Sequence, residues 1–230
     1  MIEYKVMGFT HYKLMQPFTA PHPPKTCEAL SAMTEESTTL SERDLRFNFR
    51  SGTPALFLVE TFGEWTRRRY DRIMTAEVWN DWLQQIGYPT VTETLSANDL
   101  EQMRDLRRAI YGLAQARVKG MDALPTDVRA INQYAEHPVP VAQLAADGRS
   151  RRVPESISQA QVLSMLARDA IELFSGEYAE RIRECASHIC PVIFVDRSRR
   201  GDRHWCSTNC GARHATARYR QRQQQPEDID

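Results

Sequence analysis

Apolar side chains recur at offsets of three and four over most of the chain after residue 47, a pattern that predicts helices. In FNFRSGTPALFLVETFGEW, a short strand near Phe47 and a glycine-containing turn precede an apolar helix around Leu56, Phe57, Val59 and Phe62. Thr75 reads as the N-cap of a helix that carries Val78, Trp82, Leu83 and Ile86 on one face and is stopped by Gly87 and Pro89. Ser96 caps the next helix, whose stripe of Leu100, Met103, Leu106, Ile110, Leu113 and Ala114 persists to about Lys119. Thr126 starts a shorter one with Val128, Ile131 and Tyr134, ended by Pro138. Weak alternation around Asp147-Gly148 predicts a hairpin turn. From about residue 157, Leu163, Leu166, Ala167, Ala170, Ile171, Phe174, Tyr178 and Ile182 predict one long helix running to Cys185, with a weak point at Ser175-Gly176. The expected fold is mainly α, a helical body with a small β-hairpin.

Residues 1–45 lack this periodicity, carry Pro21, Pro23 and Pro24, and include the run TEESTTLSE. They read as a loosely ordered leader or a short hairpin with a linker, ahead of a helical domain over 46–184, a compact terminal module over 185–222 and a disordered tail over 223–230.

Four of the five cysteines define that module. Cys185 and Cys190, then Cys206 and Cys210, form two tight pairs separated by the length of a β-hairpin. That spacing suits a tetrahedral Zn²⁺, each pair wrapping one edge of the ion. The order of knuckle, apolar strand, polar turn, second strand and ligand-bearing helix predicts a treble-clef-like finger. Its first ligand is expected at the end of a core helix, which would dock the finger on the body. Such a site is closed, so the metal is structural and leaves no position for chemistry. His188 and His204 lie nearby, but four thiolates already fill the coordination sphere. Phe194, Val192 and Trp205 read as the mini-core of a module too small to fold on apolar burial alone. Cys27 has no near partner and reads as a passive residue.

Net charge is formally zero, yet residues 185–222 hold eight arginines against Asp196 and Asp202. The module is therefore strongly positive and the remainder correspondingly negative, so the potential is local. Zn²⁺ with four thiolates carries a formal −2, which nearby guanidinium groups would stabilise; Arg197 and Arg203 flank the hairpin and suit that duty. Arg199 and Arg200 lie in the turn, and Arg213, Arg218, Arg220 and Arg222 follow the last cysteine on an expected helix. Arg218 and Arg222 face one way with Arg220 offset, a stripe that fits a phosphate backbone, although charge runs are also ordinary solvated faces. A second basic cluster, Arg67, Arg68 and Arg69, sits between Trp65 and Tyr70 and reads as a solvated turn or a further phosphate contact.

No glycine-rich phosphate loop, His-Glu zinc-protease helix, nucleophile elbow or dinucleotide fingerprint occurs, so the sequence gives no support to an enzyme. No apolar run reaches the length of a membrane span and no signal-peptide pattern opens the chain. A cytoplasmic protein is expected, where reduced thiols favour metal ligation over disulfides.

The tail, with FVDRS before HWCS, then Cys210-Gly211-Ala212-Arg213 and ARYRQR, resembles the bacterial CGNR-type zinc finger. The upstream region resembles the ABATE domain of stress-induced transcription regulators, through FRSG at 49–52, the helix LFLVETF, Asp71-Arg72, Trp82-Leu83, DLEQMRDLRRAI, AADGR at 145–149 and LARDAIELF leading into RIREC. The resemblance covers about residues 47–222. It implies a cytoplasmic bacterial transcription regulator that binds one structural zinc through Cys185, Cys190, Cys206 and Cys210 and contacts DNA, with a small-molecule or protein effector at the helical domain and no membrane. Arg199, Arg200, Arg213, His214, Arg218, Arg220 and Arg222 are the candidate nucleic-acid contacts. Ala212 stands where the family has its name-giving Asn, His214 lies near a usual Lys, and Glu60-Thr61 replaces a frequent Asn-Thr pair. A zinc-stabilised protein-interaction module presenting Trp205 and the arginines, and a sensor whose oxidised thiolates eject zinc, remain alternatives.

Overall fold

The computed structural model describes residues 40–65, 68–152 and 154–224. Expectations for the leader before residue 40, for Cys27, for Arg67 and for the tail after residue 224 lie outside the described residues.

In chain order, the described residues form α1 (Glu42–Leu45), α2 (Pro54–Glu60), β1 (Phe62–Gly63), β2 (Tyr70–Asp71), α3 (Ala76–Gln85), β3 (Thr90–Val91) and α4 (Ala97–Lys119). There follow α5 (Pro125–Ala135), β4 (Gln143–Leu144), β5 (Arg151–Arg152), β6 (Ser156–Ile157), α6 (Gln159–Ser175), a 3-10 turn (Ala179–Arg181), β7 (Ile182–Glu184), β8 (Ile193–Val195) and α7 (Thr208–Gln224). Helices dominate, and the strands occur only as two-stranded pairs: β1 with β2, β4 with β5 and β7 with β8 antiparallel, and β3 with β6 parallel.

Local chemistry sets the helix ends. Thr53 and Thr75 accept the N3 backbone N–H of α2 and α3, and Ser96 and Ser158 form reciprocal capping boxes with Asp99 and Gln161. Gly120, at φ +63°, takes the left-handed turn that ends α4, and Met121 N–H then reaches back to the Ala116 carbonyl at 2.8 Å. The start expected at Thr126 moves back one residue: α5 begins at Pro125 with Leu124 as an N-cap that supplies no side-chain bond. Proline at the first helical position costs nothing, because its missing N–H would be unpaired there anyway.

The core gathers α2, α4, α5 and α6 around Leu56, Leu58, Met103, Leu106, Ile110, Leu163 and Leu166, all essentially inaccessible to water. Trp79 and Trp82 of α3 stack at 5.1 Å and are buried in the same core. Buried Gln159 ties three helices together, accepting from Trp79 Nε1 at 2.9 Å and donating to the Asp99 carbonyl at 3.2 Å. Arg107 of α4 is also buried, and its guanidinium forks onto both Asp71 carboxylate oxygens at 2.8 and 2.7 Å and bonds Thr61 Oγ1 at 2.9 Å. Burial alone would raise the Asp71 pKa, but the bonds and charge of Arg107 outweigh it and hold the carboxyl low.

Three expectations are corrected. No strand forms near Phe47; the segment reaches the sheet only through Val195 N–H, which donates to the Ser51 carbonyl at 2.8 Å. The long helix stops at Ser175, where Gly176 turns to extended backbone, so Tyr178 leaves the helical register and Ile182 enters β7. The apolar spacing survives this change because Ile182 still buries in the main core. The finger's hairpin is β7 with β8, not a pair between the two cysteine couples: Ile182 faces Val195 and Glu184 faces Ile193, while residues 203–205 return without forming a strand. Cys185 is thus delivered by a strand, yet the docking holds, since Ile182, Ile193 and Val195 all belong to the body's core.

Candidate metal centre and basic helix

The knuckle of residues 185–190 joins the two strands of the β7–β8 hairpin. Cys185 N–H bonds the Val192 carbonyl at 2.9 Å and Cys190 N–H bonds the Ser187 carbonyl at 2.8 Å, so the backbone of the hairpin presents the first two thiols. Cys206 lies just before α7 and Cys210 in its first turn. Ser207 fixes that turn, its Oγ accepting Cys210 N–H at 3.3 Å. The four sulfurs lie within 4.8 Å of one another, with Cys190 to Cys206 at 3.6 Å and Cys206 to Cys210 at 3.7 Å. A tetrahedron of Zn–S bonds of about 2.3 Å places its sulfurs about 3.8 Å apart, so the cluster has the size of one structural zinc.

Electrostatics make the same demand. The Cys190 pKa is drawn down to about 5, chiefly by the hydrogen bond shared with Cys206, with the Arg50 guanidinium adding attraction. Cys206 is pushed well up by that shared bond and by burial, and burial raises Cys185 as well. Thiols this close cannot all ionise beside one another without a cation. The N-terminus of α7 adds its partial positive charge. Phe194 is fully buried beneath Cys185, Cys206 and Cys210, with Val192 and Trp205 packed against them, as the mini-core reading expects.

The flanking arginines divide by role. Arg203 donates to the Trp205 carbonyl at 2.7 Å and the Cys206 carbonyl at 2.5 Å and lies over the Phe194 ring, so it braces the approach to the third cysteine. Arg197 instead lies over the Tyr178 ring at 5.1 Å. The guanidinium that biases Cys190 belongs to Arg50, which sequence reasoning missed because it lies 140 residues upstream. Buried Asp196 shapes the turn, accepting Ser198 N–H at 2.9 Å and Arg203 N–H at 2.8 Å.

Arg199 and Arg200 are exposed in the turn that follows β8, at its end away from the thiols. Arg213, Arg218, Arg220 and Arg222 are exposed on α7, and His214 is half-buried 5.5 Å from Trp205. Helical phase puts Arg218 and Arg222 on one face, and Arg213 with Arg220 on the opposite one. No acidic residue occurs in α7, and none of these six arginines makes a side-chain hydrogen bond or ion pair among the described residues. By contrast Arg68 is engaged by Asp44 at 2.8 Å and Glu64 at 3.1 Å. Ala212 is exposed, so the departure from the usual Asn leaves the thiol cluster untouched.

Comparison with known families matches residues 181–223 to the CGNR zinc finger and residues 52–177 to ABATE, described as "Putative stress-induced transcription regulator". A search among curated proteins finds no match. No helix among the described residues is long and apolar enough to cross a membrane. With the ABATE match spanning more than half of the chain and the finger following it in order, the protein belongs to the ABATE family and carries a C-terminal CGNR zinc finger with a four-cysteine centre.

Proposed function

We propose that this chain is a DNA-binding transcriptional regulator of the reducing cytoplasm, in which the finger over 185–222 contacts DNA and the helical body over 46–184 senses an effector. Cys185, Cys190, Cys206 and Cys210 hold one Zn²⁺, which fixes the start of α7; the arginines beyond it supply affinity for phosphates. The observation that carries this reading is α7 itself: a helix anchored at a thiol cluster, with no carboxylate of its own and guanidinium groups that have no partner among the described residues. Basic side chains without internal partners neutralise phosphates at little desolvation cost and release counterions. Neither family is an enzyme family, and no catalytic role is assigned.

A salt titration of binding to random duplex DNA tests the proposal. If about four arginines neutralise phosphates, log K falls against log salt with a slope near −3.6. Replacing Arg218, Arg220 and Arg222 by Ala should reduce that slope by about 2.7. Binding indifferent to salt, or unchanged in the triple variant, would refute it.

A further inference from the structure

A cleft of about 390 Å³ opens between the helical body and the finger, within the size range of small-molecule sites. Its walls come from both parts of the chain: Arg50, Phe62 and Trp65 from the body, Pro191, Asn209 and Arg213 from the finger. Five arginines line it against three carboxylates.

Those charges are not mutually satisfied. Arg68 already engages Asp44 and Glu64, and Arg72 spends its donors on the Asp44 and Glu60 carbonyls and the Tyr70 hydroxyl. Glu60 points Oε1 at the Arg50 and Ser51 backbone N–H groups, at 2.8 and 2.5 Å. Arg43, Arg50 and Arg213 are left with no side-chain acceptor among the described residues. The Arg50 Nε is buried and has no acceptor among the described residues, and although Arg50 biases Cys190 electrostatically it donates no bond to that sulfur. Buried donors in folded proteins almost always have an acceptor, none of the described residues supplies one to this guanidinium, and an anion in the cleft would. Beside the cationic side, Phe62, Trp65 and Val59 offer an apolar wall.

We propose that this cleft binds a small organic acid, a carboxylate or phosphate monoester whose acidic head meets Arg43, Arg50 and Arg213 and whose apolar body lies against Phe62 and Trp65. Because Arg50 belongs to the loop that bonds β8 and Arg213 belongs to α7, an occupant bridges the sensing body and the basic helix. The consequence for DNA rests on the regulator reading above; the binding itself does not.

Isothermal titration of the zinc-loaded full chain with phenyl phosphate and benzoate, at matched ionic strength, tests the site. Inorganic phosphate (head alone) and benzyl alcohol (body alone) are the comparison arms. The acids should bind at least about tenfold tighter than either half, and Arg43→Met and Arg213→Met should each weaken them about tenfold, the worth of one charge-assisted bond. Both side chains are exposed, and unchanged near-ultraviolet dichroism confirms that the variants fold. Arg152→Met, in the β4–β5 hairpin, should change nothing. Benzyl alcohol binding as tightly as the acids, inorganic phosphate binding as tightly as phenyl phosphate, or equal weakening by Arg152→Met would overturn the proposal, as would the absence of binding by either acid. Loss of acid binding with the DNA salt slope intact refutes the cleft alone; a flat salt slope with acid binding intact refutes the DNA reading alone.

Discussion

Replacing Glu60 by Gln should make the protein more stable above neutral pH and leave it unchanged near pH 4. Glu60 ends α2, and its Oε1 accepts two backbone N–H groups from the loop that bonds the finger's β8. Gln offers the same acceptor without the charge. Burial pushes the Glu60 pKa up from 4.5 to about 7, overcoming the bonds from Ser51 and Arg50. A carboxyl whose pKa is higher folded than unfolded binds more protons in the native state, so its contribution to stability is present in full below pH 4.5 and lost as pH rises to about 7. The gap of roughly 2.5 units corresponds to about 3 kcal/mol. The advantage of Glu60→Gln over the native chain should therefore grow from near zero at pH 4 to about 1 kcal/mol at pH 5.5 and about 3 kcal/mol at pH 8. Urea unfolding of both proteins with zinc present, across that range, measures it; effects of pH on the metal ligands cancel in the difference. An advantage independent of pH, or one that shrinks as pH rises, would refute the reasoning.

Asp71→Ala should cost about 3–5 kcal/mol, because it strands the Arg107 guanidinium without its anion in the core; urea midpoints measure this. Gly52→Ala should destabilise by about 1 kcal/mol or more, since Gly52 sits at φ +97° against Val195 where an L side chain is strained; thermal unfolding at fixed zinc reads it. Cys206→Ser should abolish stoichiometric zinc and loosen the Trp205 environment, visible by metal analysis and tryptophan emission, because that sulfur stands 3.6 and 3.7 Å from two other cysteines.

Features carried by one segment were legible in the sequence. Thr75 and Ser96 declare helix starts because a side-chain oxygen beside an apolar stripe has one common use, and Asp147 organises its turn by accepting the Arg149 and Ser150 N–H groups at 2.9 Å. The four cysteines were legible because ligation imposes short spacings. Features that depend on distant partners were not. Ile182 keeps a helical spacing with Phe174 and Tyr178, but its residue pairs with Val195, and strand pairing leaves no local mark strong enough to compete with that period. Arg107 looks like any solvated arginine of DLRRAI until Asp71 is folded against it, and Arg50 gains its place beside Cys190 only through the tertiary fold.

If four thiolates hold one metal ion that shapes the basic helix, removing the ion must unfold the finger. Metal analysis of the purified, reduced full chain, paired with hydrogen exchange before and after strong chelator, tests it directly. One zinc per chain is expected, with amides of residues 204–224 losing protection on chelation while the core of α4 and α6 keeps its own. A chain without stoichiometric metal whose finger amides stay protected in chelator would contradict it.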